Sequence, residues 1–256
     1  VLSNSDSVAW LGCGADSTVN TASEGGVASL VAIGDKCWLV TNNIESERLQ
    51  TEELAGVPLA GVEVFNWWQP TGKDEAVKRL VHGHEVASDD GVAGFPVLDE
   101  AFATLRWSLT RSECGRYREL GQDASEAMEE ACFSVERGMT EADIAGLMAE
   151  ACRQRGINPV VLLVAVDDRI RQWRHPIVKM DKLDKYAMIV ICGRRRGQIA
   201  AVTRLVSLVE LSEDLKKRHE AVCFVDASMI CASRPGREVR EVFEAARKAY
   251  SARGFD

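Results

Sequence analysis

Apolar positions fall into short runs over the first hundred residues and into helical stripes after that. "SVAWLGCG" (7–14) reads as a short strand that breaks at Gly12 and Gly14. "VASLVAIGDKCWLV" (27–40) reads as two strands about a Gly34-Asp35 turn, a good two-residue hairpin signal. "IESERLQTEEL" (44–54) predicts a charged helix whose few apolar residues are Ile44, Leu49 and Leu54, and "VEVFNWW" (62–68) alternates like another strand. The following "QPTGKDEAVKRLVHGHEVASDDGVAGF" is polar and rich in Gly and Asp, which places a domain boundary near residue 98.

The second half predicts helices. Residues 111–137 carry Leu120, Ala124, Met128, Ala131 and Val135 on one stripe, with Gly138 just past the end. Thr140 then caps a helix, with Asp143 placed to bond back to it. That helix turns Ile144, Leu147, Met148 and Ala151 inward and stops at Gly156, and "PVVLLVAV" (159–166) follows as a buried strand. "YAMIVICGRRRGQIAAVTRL" (186–205) predicts a β-hairpin with three arginines between two glycines at its tip. A helix capped by Ser212 is broken by "RPG" (234–236), and a last helix aligns Val239, Val242, Phe243, Ala246 and Tyr250.

Composition narrows the function. The 256 residues are 46% hydrophobic and 27% charged, enough for one large or two modest cores. A net charge of −8 argues against nucleic acid, whose binding needs a basic surface. No apolar run reaches the ~18–20 residues that span a bilayer. The opening "VLSNSDSVAW" lacks the basic and long apolar regions of a signal peptide, and it lacks an initiator Met. Eight cysteines, without any C-x-x-C, read as buried small hydrophobes in a reducing cytoplasm rather than as a disulfide framework.

Chemistry-bearing residues concentrate in "VDDRIRQWRHP" (166–176), which gathers Asp167, Asp168, Arg169, Arg171, Arg174 and His175 after a buried strand. Two readings stand level: a substrate-positioning loop, or a loop ion-paired within itself. "GRRRG" (193–197) reads as a solvated turn rather than a phosphate cradle, because no helix N-terminus follows it. His82 and His84 stand two apart, but no further ligand cluster accompanies them to make a zinc site. Alternation turns one of Trp67 and Trp68 into the core and the other outward.

The order of these pieces resembles a known family. "GMTEADIAGLMAEACRQRGI", a strand, "RHP", "ICGRRRGQIAAVTRL" and "SRPGREVREVFEAARKAYSARGF" together resemble the pita-bread fold of methionine aminopeptidases, aminopeptidase P, prolidase and creatinase, the M24-type peptidases. The resemblance implies an α/β (α+β) protein in two parts. Residues 1–98 form a creatinase-type N-terminal domain, and 99–256 form a pita-bread domain, incomplete at its C-terminus. In the family's peptidases the hairpin holds two bridged divalent ions on two aspartates facing one way. Here Gly193 and Thr203-Arg204 match the frame, but the aspartate positions are Ile191 and Ala201, and the Gly197 turn is one residue shorter. The resemblance therefore implies no metal and no cofactor, with Cys192 on the face opposite the lost ligand.

Creatinase, which uses a histidine as proton shuttle without metal, nominates His175 as general base. Arg204, Arg174 and Arg169 are the implied substrate-binding cations, and Thr203 replaces the glutamate that holds creatinase's guanidinium group. The implied function is metal-independent hydrolysis of a C–N bond in a small nitrogen-containing molecule or short peptide, in a cytoplasmic homodimer. The alternatives are a non-catalytic pita-bread binding protein and a metallo-aminopeptidase with rearranged ligands.

Overall fold

A computed structural model describes residues 1–255. The run "VASLVAI" forms a strand with no polar side because both of its faces are covered. Strands β1 (Leu2–Asn4), β2 (Gly25–Ile33), β3 (Lys36–Asn42) and β4 (Leu59–Phe65) form one sheet in the order β1-β2-β3-β4. β2 runs antiparallel to β1 and β3, and β3 parallel to β4. On one face Ala28, Leu30 and Leu39 pack with Val8, Ala15, Leu49 and Leu54. On the other, Val31 and Val40 pack with Ala76, Val77 and Val81.

The helices that cover this sheet include two surprises. "SVAWLGCG" is not a strand: helix α1 (Ser5–Leu11) follows β1 directly. Its contiguous apolar residues fit either element, and the preceding Asn4-Ser5-Asp6 favours a helix start. Helix α3 (Gly72–Leu80) occupies part of the segment read as polar connection, presenting Ala76, Val77 and part of Leu80 to the core. The charged segment after β3 is helical as expected, a short α2 (Ser46–Arg48) running into a π-helical turn, Leu49–Glu53. Trp67 and Trp68 are both 60% exposed, so neither enters the core. β4 ends at Phe65, and Trp67 N–H donates to Asn43 Oδ1 at 2.9 Å, so strand alternation does not reach them.

After the short α4 (Glu100–Leu105) come α5 (Arg111–Phe133) and α6 (Glu141–Gln154). Both begin in a capping box, Thr110 with Glu113 and Thr140 with Asp143. Leu120, Ala124, Met128, Ala131, Ile144 and Met148 are buried, as their stripes predict. The second sheet is β5 (Asn158–Val166), β6 (Tyr186–Arg195) and β7 (Gln198–Ser207), with the four-residue α7 (Arg169–Gln172) after β5.

The chain divides into two compact units, one Val1–Val206 and one from Ser207 onward. The expected boundary near residue 98 lies inside the first, at the passage from the four-stranded sheet to the helical half. The second unit pairs α8 (Glu213–Ala232), capped by Ser212, with α9 (Val239–Ala252) through Val225, Ala246 and Ala249. Val239 and Phe243, aligned on the last helix, are 84% and 59% exposed. All eight cysteines are free, but only Cys152 is fully buried, while Cys13, Cys223 and Cys231 are exposed. No helix among the described residues is long and apolar enough to cross a membrane.

Candidate active site

The hairpin β6–β7 turns through Arg196 and Gly197, with φ of 51° and 76°. Positive φ at both central residues is the type I′ geometry, whose twist matches that of paired strands. Such a turn sets Arg195 opposite Gln198. Both reach the helices: Arg195 Nη1 donates to Asp123 Oδ2 at 2.6 Å and to the Arg155 carbonyl at 2.9 Å, and Gln198 Nε2 to the Glu113 carbonyl at 3.0 Å. Arg204 lies on that side too, beside Cys132 of α5. Burial raises the Cys132 thiol pKa, and the Arg204 charge opposes that rise.

Side chains alternate along a strand, so the faces of the hairpin follow. Ile191, Gly193 and Arg195 face the helices, and Ile191 is fully buried. Cys192 and Ala201 stand opposite each other on the other, open face. Cys192 faces away from Ile191, as expected, and the correction falls on Ala201, which was expected on the Ile191 face. A turn one residue short cannot keep Ile191 and Ala201 on one face, and it is Cys192 that shares Ala201's side.

The second element is the segment 167–185 between β5 and β6. Its feet are held by two carboxylates. Asp167, at φ 48°, accepts from the backbone N–H groups of Asp184, Lys185 and Tyr186 at 2.8, 2.8 and 2.9 Å. Burial raises its pKa, but those three donors and the Lys185 charge outweigh it and leave the carboxyl below its ordinary value. Glu141, fully buried at the start of α6, accepts from the N–H of Val166 at 3.1 Å and of Lys179 at 2.7 Å, and pairs with the Arg169 guanidinium. Arg169 also donates to the Ile177 carbonyl at 3.1 Å.

These contacts separate the predicted site residues. Arg169 is tied into the loop's foot, whereas Arg174 and His175 are exposed on its crown, next to a buried Pro176. Neither makes a hydrogen bond or ion pair among the described residues. Arg204 is on β7, turned toward α5, and its Nη1 donates to the Thr203 carbonyl at 2.8 Å. Arg174 and His175, neighbours in sequence, are thus both exposed, while Arg169 and Arg204 sit in different surroundings. Both readings of "VDDRIRQWRHP" find a part: its start is internally bonded, its end is free. Glu141 went unrecognised in the sequence. Glu141 looks like any first-turn acid, and Ala201's face depends on turn parity.

Two lesser readings also change. The "GRRRG" tip is docked rather than solvated: a Cβ on Gly197 would lie 2.5 Å from Ala9 Cβ, and Arg194 reaches Thr18 Oγ1 at 3.4 Å. His82 and His84 sit in a turn after α3, and no group of three metal-ligating side chains forms among the described residues.

This arrangement has relatives. The metallopeptidase family M24 profile matches residues 115–256, more than half of the chain. The chain belongs to metallopeptidase family M24. A prolidase from Pyrococcus furiosus superposes with a TM-score of 0.77 at 17% identity, covering 99% of this chain and 74% of that one. A Bacillus anthracis Xaa-Pro dipeptidase gives 0.78 at 15%, covering 99% and 72%. An X-Pro aminopeptidase from Thermotoga maritima gives 0.73 at 17%, covering 90% and 69%. A comparison with curated proteins gives no match. The pita-bread expectation holds, and so does the mixed α/β class.

The M24 name implies metal, and the hairpin does not fit it. An ion against the open face would meet one thiol, Cys192, and a methyl group, Ala201. Ile191 faces away and has no lone pair to offer. Divalent ions need oxygen, imidazole or thiolate donors in number, which this pair does not supply.

Proposed function

We propose that this M24 member hydrolyses a C–N bond in a small nitrogen-containing molecule or a short peptide, without a bridged metal pair. The observation that carries the reading is the open face of the hairpin. It keeps the family scaffold but offers Cys192 and Ala201 where paired carboxylates are needed. Activation of water then falls to a side chain. His175 takes a proton from the attacking water as the C–O bond forms, and returns it to the nitrogen as the C–N bond breaks. Arg174 beside it meets an anionic group of the substrate. Arg169, locked to Glu141, positions the loop that carries both. Arg204 braces the sheet against α5.

Two of the relatives above are named for Xaa-Pro substrates, which makes such dipeptides the first substrates to try, followed by guanidino compounds. The decisive assay compares turnover before and after exhaustive chelation, in the parent and in His175→Ala. Turnover that survives chelation and disappears in the variant supports the reading. Turnover abolished by chelation and restored by manganese or cobalt overturns it.

A second reading, a binding protein without turnover, is favoured by one observation: no second catalytic side chain bonds to His175 among the described residues. Saturable binding of a substrate that is never consumed would select it.

A further inference from the structure

A cavity of about 490 Å³ opens at the hairpin tip on the helix side of the second sheet. It is lined by Arg116 of α5, Arg155 beyond α6, Arg195 and Arg196, with Glu119, Gln122 and Asp123. Four arginines thus face two carboxylates, on a chain whose net charge is −8. Asp123 is already paired with Arg195 at 2.6 Å, and Arg155 is paired with Glu130 at 2.8 Å. Arg116 and Arg196 have no acidic partner within salt-bridge distance among the described residues. Arg116 donates from Nη1 to Ser112 Oγ at 3.0 Å, yet its Nε is buried with no acceptor. That Nε is shut off from the cavity by the Gly14 loop, so the terminal nitrogens of Arg116 are the ones that face an occupant.

Two backbone features point the same way. Arg196 holds φ of 51° at the first centre of a type I′ turn, where Asn, Asp or Gly is favoured. An arginine there accepts backbone strain, and strain of this kind gathers at ligand clamps. Gly14, at φ 101°, leaves room for Arg116 and Arg196. A Cβ on it would lie 3.2 Å from Arg196 Cβ and 3.4 Å from Arg116 Nε.

We propose that this cavity binds a phosphate-class oxyanion, held by the Arg116 and Arg196 guanidinium groups. Planar guanidinium forks match such oxygens two at a time. The anion ties α5 and the hairpin tip together. The site lies across the sheet from the open face, so it is separate from the hydrolytic reading above and stands whether or not that reading holds.

The test is thermal unfolding of the whole chain with inorganic phosphate, pyrophosphate or ATP, each matched in ionic strength with sodium chloride. The three arms distinguish free phosphate, a diphosphate and a nucleotide as source. A saturable rise in Tm above the chloride control is expected in at least one arm. Arg116→Gln should weaken that ligand at least about tenfold. Arg196→Asn should weaken it equally, while leaving the anion-free Tm unchanged or higher, because Asn tolerates the left-handed conformation. That second variant separates loss of the site from loss of folding. No rise beyond chloride in any arm, or an undiminished rise in both variants, overturns the proposal.

Discussion

Replacing Glu141 by Ala removes one buried carboxylate and orphans three donors. The side chain is fully buried, and it accepts from Val166 N–H, from Lys179 N–H and from Arg169. Breaking a buried pair by deleting one partner costs about 3–5 kcal/mol, because the other charge is stranded. Arg169 keeps 17% side-chain exposure and can recover some hydration, so the lower end, about 3 kcal/mol, applies to it. The two backbone N–H groups add about 1 kcal/mol each, less the desolvation relieved by removing the carboxylate. The net expectation is about 4 kcal/mol. With a urea m-value of about 2–3 kcal/mol/M, the midpoint should fall by roughly 1.3–2 M. Urea unfolding followed by circular dichroism reads this directly. Adding Arg169→Met to Glu141→Ala should cost less than the two single losses summed, because the stranded charge is gone. A midpoint loss below about 0.3 M, or strict additivity with Arg169→Met, would refute the idea that Glu141 anchors this loop.

Other consequences follow from the same geometry. Gly197→Ala places a Cβ 2.5 Å from Ala9 Cβ at a positive φ, and should cost about 3 kcal/mol by strain and clash combined. Gly83→Ala, at φ 82° with nothing nearby, should cost only about 1 kcal/mol, and equal losses in chemical denaturation would contradict the docked tip. The depressed Asp167 carboxyl contributes stability that is present above its unfolded pKa of about 3.9 and is lost as pH falls through its lower folded pKa. Asp167→Asn should therefore flatten the loss of stability on the acid side of pH 4, and an unchanged acid slope would remove Asp167 from that role.

How far the sequence speaks for itself depends on how local each signal is. The Gly34-Asp35 hairpin, the Thr140 capping box and the Ser212 cap are read within four residues, and all three form. Helix α1 was hidden because four contiguous apolar residues carry no period, and α3 because its buried face is only a few residues wide. The face of Ala201 is not a local property: it follows from the number of residues in a turn four positions away. Glu141 is further still, since its donors lie 25, 28 and 38 residues on and share no motif with it. His175 could be nominated by resemblance, and its exposure on a pinned loop emerged only from the contacts around it.

This hairpin, with Ile191 and Ala201 at the aspartate positions, holds no metal pair. The most direct test is the metal content of the whole chain, purified without chelator, incubated with excess manganese or cobalt and then gel-filtered, measured by inductively coupled plasma mass spectrometry. Far less than one ion per chain is expected, unchanged by Cys192→Ser. Two tightly held ions per chain would contradict it.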